Sequence, residues 1–323
     1  MSKYQSFLAL SMDEFITFRK ASGRWNNVTY EANLYRFDRH CAEHYPEANV
    51  LTKEIVDSWC NKRETETSNS CRARISVIGT FVGYLRDRGL SDIKGPNLPK
   101  WQKCRYIPHV FTEKELANFF RACDEIVTKR RSLLVITRKM SIPVFFRLLY
   151  SSGLRTNEAR LLHTDDVDLE QGILNIRFTK GYNQRFVVLH DSMLGIMKQY
   201  DTAIQVHHPN REYFFPVANV NGSHHNRKWV QDNFNELWFK YNTAPAIAYD
   251  LRHNYAIENI NQWIGDPFDF HDKLLYLSKS MGHSKLESTK YYFHLVPALA
   301  DILEKASGAS FDDIVPEVDY ATL

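Results

Sequence analysis

Met281-Gly282-His283-Ser284-Lys285-Leu286-Glu287-Ser288-Thr289-Lys290-Tyr291-Tyr292-Phe293-His294 is the stretch on which the reading of this 323-residue chain turns. Gly282 is placed to close one helix, and Ser284 with Glu287 stands at capping-box spacing to open the next. On that reading His283 sits at the helix entrance and Tyr292 two to three turns along the same helix. A tyrosine beside another aromatic is ordinarily a packing residue. To act as a nucleophile it needs cations around it, because an unperturbed phenol titrates near about 10.

Working outward, three other stretches supply cations. In Ser152-Gly153-Leu154-Arg155-Thr156-Asn157-Glu158-Ala159, Gly153 ends one helix and Thr156 is placed to cap the next. Arg155 then stands at a helix start, where the dipole mildly disfavours a cation unless an anion is held there by free N–H groups and the guanidinium fork. Thr179-Lys180-Gly181-Tyr182-Asn183-Gln184-Arg185 reads as the tip of a hairpin between β-rich runs at 173–178 and 185–189. From such a tip the Lys180 ammonium can reach into a cleft and protonate a leaving alkoxide. Tyr249-Asp250-Leu251-Arg252-His253 opens a helical segment with Arg252 one turn beyond Tyr249. Two guanidinium groups can share the charge that builds on the nonbridging oxygens of five-coordinate phosphorus. Taken singly, each of these residues reads as an ordinary surface, turn or capping residue.

The rest of the chain sets the frame. Residues 11–88 read as a helical bundle: a first helix from a Ser11/Glu14 capping box to a stop near Gly23, further helices at 29–43 and 53–62, and a last one from Asn69 to Gly89 with Ile75, Ile78, Phe81, Val82 and Leu85 on one face. Residues 95–108 combine prolines with Lys100, Lys103 and Arg105 and lack helical periodicity, which marks a linker. Two readings of it stand side by side, a solvated connector and a phosphate track around a duplex. A second domain follows, with a helix after Thr112, an apolar helix over 143–150 that stops at Gly153, the hairpin, and helical signals from Ser192 and over 227–241. The predicted fold class is mainly α with a small antiparallel β element. The predicted division is a helical domain at 1–95, a basic linker at 96–108, a second domain at 109–308 and an acidic tail at 309–323.

Composition bounds the function without choosing it. A 44% hydrophobic content fits folded domains, and a net charge of +3 is too small to announce a nucleic-acid partner, so any such case rests on local residues. No apolar run approaches the length of a membrane helix, and the first fourteen residues lack the pattern of a secretory signal, so the expected location is cytoplasmic. Cys41, Cys60, Cys71, Cys104 and Cys123 are scattered and fit reduced thiols. His207-His208 and His224-His225 read as loop residues rather than metal ligands. Lys129-Arg130-Arg131 with Arg138-Lys139 reads equally as a phosphate track or a solvated helix face. The stripe Leu295, Leu299, Ile302 and Leu303 reads as core.

The Gly-Leu-Arg155 box, the Lys180 hairpin, the Asp-Leu-Arg252-His253 box and Gly-His283 followed by Tyr292 occur in the order and approximate spacing of the tyrosine recombinase (phage integrase) family, which this chain resembles over almost its whole length. The resemblance implies a helical, SAM-like amino-terminal domain that clamps DNA, a basic linker and a catalytic domain. It also implies Tyr292 attacking a backbone phosphate to form a 3′-phosphotyrosine, Lys180 protonating the 5′-oxygen, Arg155 and Arg252 holding the nonbridging oxygens, and His283 adding a hydrogen bond. No cofactor, metal or ATP is needed, since one phosphodiester is exchanged for another. The implied partners are double-stranded DNA carrying recombination sites and a homotetramer joined through the carboxy-terminal helix; the implied setting is the nucleoid, and the implied source a mobile element. Two departures stand out: Tyr249 occupies a position where the family usually has histidine, and the Arg252–Gly282 interval is longer than in compact members, the extra length falling around 263–271. Tyr249 is expected to keep a supporting role, since it can donate a hydrogen bond but cannot serve as a base at neutral pH. A DNA-relaxing enzyme of the same chemistry, and a DNA-binding accessory protein with a decayed site, are the alternatives.

Overall fold

A computed structural model of the chain describes residues 3–22, 30–102, 106–127, 132–177, 184–218, 223–263, 270–290 and Tyr292. The chain divides into two compact units, residues 1–106 and 107–323.

Within the described residues the first unit holds α1 (Ala9–Ala21), α2 (Ala32–His44), α3 (Lys53–Cys60) and α4 (Ser68–Asp87). Helix α4 packs against the other three. Ile75, Ile78, Phe81, Val82 and Leu85 are buried on it, as their spacing predicts. The start of α1 differs from expectation. It begins at Ala9 after Leu8, so Ser11 lies inside the helix and caps nothing. The chain is instead pinned before the helix by Asp38, whose buried carboxylate accepts from Gln5 N (2.8 Å), Ser6 N (2.9 Å) and Ser6 Oγ (2.6 Å). A long-range anchor of this kind overrides a local capping pattern. The described part of the expected linker has neither helix nor strand and is tied to α4: Arg72 Nη1 donates to the Pro99 carbonyl (2.6 Å), and the Asn69 side chain pairs with both backbone groups of Gln102 (2.6 and 2.9 Å). Lys100 is exposed; Lys103 and Arg105 lie outside the described residues.

The second unit is organised by α6 (Leu133–Ser152), which packs against α5 (Glu113–Asp124), α8 (Asp191–Gln205) and α10 (Asp250–Gln262). Its carboxy-terminal half is buried over most of its surface, with Phe145, Phe146, Leu148 and Leu149 at 1% exposure or less, so it behaves as a core helix. The sequence pattern placed its start at Pro143, yet the helix runs straight through that proline from Leu133. Packing outweighs the one hydrogen bond that proline removes. Thr112 and Glu115 form the capping box of α5. Between α7 (Thr156–Arg160) and α8 lies an antiparallel sheet ordered β1 (Val167–Asp168), β2 (Ile173–Ile176), β3 (Arg185–Val188), in which Leu174 pairs Val187 and Ile176 pairs Arg185. The expected hairpin is therefore widened by β1, too short to show as a periodic signal. Helices α9 (Arg227–Trp238), α11 (Phe270–Ser280) and α12 (Glu287–Lys290) complete the described elements.

Several expectations about individual residues resolve here. Cys41, Cys60, Cys71 and Cys123 are free thiols, and Cys104 lies outside the described residues. His208 Nε2 bonds Thr137 Oγ1 (2.8 Å), and His225 is stacked 3.7 Å over Trp229. Arg138 is ion-paired with Glu236 (2.7 Å) and bonds Asn233 (2.6 Å), which removes it from a free phosphate track. Lys129, Arg130 and Arg131, the stripe at 295–303 and the tail at 309–323 lie outside the described residues. Among the described residues no helix is long and apolar enough to cross a membrane.

Phe145 is fully buried with aromatic contacts to Phe146, Phe215 and Trp229 at 5.2–5.6 Å. Phe145→Ala is expected to cost about 3–5 kcal/mol in denaturant unfolding through lost burial and the cavity left behind. A cost below about 1 kcal/mol would remove α6 from the centre of this core.

Candidate active site

Helix α6 ends at Gly153, whose φ of 60° turns the chain into Leu154 and Arg155. Arg155 is the residue before α7, and Thr156, expected as the cap, is already helical. The capping acceptor is Glu158, whose carboxylate takes the Arg155 backbone N–H (2.9 Å) and Arg155 Nη1 (2.7 Å). The same carboxylate receives Arg185 Nη1 (3.0 Å) and Nη2 (2.7 Å). Strand alternation explains the arrival of Arg185: it shares a face of β3 with buried Val187, so its guanidinium points inward while Phe186 and Val188 face solvent. Arg185 Nε also donates to the Ser280 carbonyl (2.6 Å), fixing the end of α11. Burial alone would raise the Glu158 pKa; the hydrogen bonds and charge of Arg185, joined by the bonds from Arg155, outweigh it and hold the group down at about 2.

Arg252 lies in the first turn of α10 and is 1% exposed. Nη1 donates to the Gly153 carbonyl (2.5 Å), and Nη2 to the Met281 carbonyl (2.6 Å) and to His283 Nε2 (3.1 Å). Its Nε has no hydrogen-bond partner and its guanidinium no ion pair among the described residues. Burial lowers its pKa, and Arg155 acts in the same direction. A buried cation in that state is stabilised by an incoming anion.

Glycine backbone brings the two arginine boxes together. Arg252 bonds the carbonyl of Gly153, two residues before Arg155, while Arg155 Nη2 bonds the carbonyl of Gly282, beside His283 (2.9 Å). Both glycines need a positive φ, and both are closely approached: a Cβ on Gly282 would lie 2.6 Å from Arg185 Nη1, and one on Gly153 would collide with the Tyr255 ring.

The start of the helix before Tyr292 differs from expectation. Helix α12 begins at Glu287 and is described as far as Lys290, so Ser284 does not cap it and His283 stands in the preceding turn. His283 is fixed instead by side chains, Nδ1 to Thr289 Oγ1 (2.7 Å) and Nε2 to Arg252. Burial, then the charges of Arg252, Arg155 and Arg185, hold its pKa down at about 4, so the ring is neutral at pH 7. The Tyr292 ring, 3% exposed, lies nearly parallel to that of His283, with centroids 6.3 Å apart and planes at 16°. Its hydroxyl is 3.1 Å from His253 Nδ1. Tyr249, the N-cap of α10, sets its ring edge-on to His253 at 5.0 Å.

Arg155, Tyr249, Arg252, His283 and Tyr292 are thus gathered within one network of contacts, while Lys180, at the hairpin tip, lies outside the described residues. Three members of the network carried no role in the sequence reading: Glu158, Arg185 and His253. Glu158 stands three residues after Arg155, at helical contact spacing. Arg185 interrupts a β-rich run at an inward position, a signal visible only once register is known. Among the described residues no group of three or more His, Cys, Asp or Glu side chains could hold a metal ion.

The Glu158 carboxyl titrates at about 2 in the folded chain against about 4.3 unfolded, so its stabilisation is present above the unfolded value and lost as pH falls toward the folded one. Glu158→Gln is expected to lower stability at pH 7 by on the order of 3 kcal/mol, the gap to wild type closing between about pH 5 and 2. A gap in Tm that stays constant over that range would contradict the paired carboxylate.

Comparison with known proteins identifies the family and the fold. The description of the Phage integrase family matches residues 109–298. The tyrosine recombinase XerA of Pyrococcus horikoshii is 23% identical over 304 residues, which cover 91% of this chain and 93% of its own length. Among solved structures, the site-specific recombinase XerH bound to difH substrate in a pre-cleavage complex aligns with a TM-score of 0.56 at 17% identity, over 94% of this chain and 84% of that one. The integrase of transposon Tn1549, in complex with transposon right end DNA, aligns with a TM-score of 0.58 at 13% identity, over 93% and 99%. Since the family match spans more than half of its length, this chain belongs to the phage integrase family of tyrosine recombinases, the enzymes of site-specific DNA recombination.

Proposed function

We propose that this recombinase cleaves and rejoins duplex DNA by transesterification, with Tyr292 attacking a backbone phosphate to give a 3′-phosphotyrosine and a free 5′-hydroxyl. The observation that carries the reading is Arg252: a buried guanidinium without an ion pair among the described residues, bonded to His283 and linked through Gly153 and Gly282 to Arg155, with Tyr292 packed on the same histidine. Arg155 and Arg252 hold the nonbridging oxygens, where they oppose the charge that develops in the transition state. His283 adds a hydrogen bond to the same oxygens once the phosphate takes over the Arg252 contact and Nε2 carries the proton, Nδ1 then accepting from Thr289 Oγ1. Lys180 is the acid for the 5′-oxygen, and Tyr249 supports the pocket in the place of the family's histidine. Because the reaction exchanges one phosphodiester for another, it needs neither metal nor ATP in this scheme.

The partner is double-stranded DNA carrying recombination sites, a reading supported by the DNA-bound state of the similar XerH and Tn1549 structures. Lys100, Lys103, Arg105, Lys129, Arg130 and Arg131 are assigned to phosphates along the duplex, with residues 96–108 as the linker between a clamping domain and the catalytic domain. Assembly is a tetramer on two duplexes joined through the carboxy-terminal helix, and the source a mobile element.

Tyr292→Phe is expected to form no covalent adduct with a nicked suicide duplex while binding that duplex within about twofold of wild type, since only the nucleophilic oxygen is lost; undiminished adduct would take Tyr292 out of its role. Arg252→Lys keeps a charge but loses the fork, and its single-turnover cleavage is expected to fall by about 10²–10³-fold. A fall of less than about threefold would contradict the phosphate clamp.

A further inference from the structure

The geometry points to His253 as the group that receives the Tyr292 proton when the phenol attacks phosphorus. This inference rests on the reading of Tyr292 as the nucleophile and adds the base that reading leaves unnamed. Two observations lead to it. In the first turn of α10, His253 places Nδ1 3.1 Å from the Tyr292 hydroxyl, within reach for direct proton transfer. The Tyr249 ring, a phenol that is no base at neutral pH, packs edge-on against the His253 ring at 5.0 Å and so holds that imidazole in place rather than competing with it.

Nδ1 accepts when the ring proton is on Nε2. The ring is neutral at pH 7, because burial, then the charge of Arg252, hold its pKa down at about 4. Burial, the larger cause, persists when DNA binds, but the scissile phosphate places negative charge against Arg252 and so offsets that cation's part, shifting the basicity of Nδ1 upward. Among the described residues, charged and titratable groups that face His253 include Arg252 and Tyr249 on its own helix, and Tyr292 and His283 from the carboxy-terminal segment.

The step balances. The Tyr292 Oη–P bond forms as the P–O5′ bond breaks, the phenol proton passes to His253 Nδ1, and the 5′-oxygen takes a proton from the acid. In rejoining, the 5′-hydroxyl attacks while its proton passes back to the acid that supplied it, the phosphotyrosine bond breaks, and His253 returns its proton to the departing phenolate.

The test is single-turnover cleavage of a nicked suicide duplex over about pH 5–9 by wild type, His253→Ala and His253→Asn. Asparagine keeps an oxygen acceptor close to the Nδ1 position but cannot take up the proton. Both variants are expected to bind the duplex as wild type does, to form the adduct about 10²–10³-fold more slowly, and to show rates that rise with hydroxide where wild type is level. Wild-type rate and pH profile in His253→Asn would overturn the assignment, because the contact would then only position the phenol. Should His253→Ala fold poorly by circular dichroism, the asparagine variant decides alone. An adduct that persists in Tyr292→Phe would instead overturn the nucleophile reading, and this inference with it.

Discussion

A guanidinium buried to 1% exposure is the constraint around which the catalytic unit is arranged. Placing the Arg252 charge out of water is costly, and the chain compensates with backbone carbonyls from two distant segments, at Gly153 and Met281, and the ring nitrogen of His283. Carbonyls orient the fork without neutralising it. The charge is therefore held in place yet still available to a phosphate, which a buried salt bridge would not allow.

The neighbouring cations are handled in the opposite way. Arg155 and Arg185 share the Glu158 carboxylate, which ties α7 to β3, while Arg185 also holds the end of α11. These ion pairs fix the positions of the turn at 153–155 and the turn at 281–283, so that both glycine carbonyls meet Arg155 and Arg252, the two arginines proposed to clamp the phosphate. Small residues are required at those turns because a side chain would strike Tyr255 or Arg185. Precision at the proposed phosphate site thus comes from the Glu158 and Arg185 contacts one layer behind it.

Much of this was legible in the sequence because it is encoded in short, ordered signals. The apolar face of α4, the stop at Gly153 and the strands at 173–176 and 185–188 follow from periodicity and glycine placement, while the gathering of Arg155, Arg252, His283 and Tyr292 was implied by the resemblance to the phage integrase family. What was illegible depends on contacts between segments far apart in the chain. The capping patterns at Ser11 and Ser284 were overridden by the Asp38 anchor and by the Thr289 and Arg252 bonds to His283. Pro143 was absorbed into α6 by packing. Glu158 and Arg185 looked like a helix residue and a strand residue until register turned them toward each other, and His253 acquired a partner only when the segment carrying Tyr292 folded back on α10.

The pocket around Arg252 is proposed to surround a phosphate that faces the Tyr292 phenol oxygen. Trapping the covalent complex on a nicked duplex, digesting it and locating the attached nucleotide by mass spectrometry measures this directly. A single phosphodiester on Tyr292 is expected. Attachment to the adjacent Tyr291, or to any residue outside this pocket, would contradict the proposal.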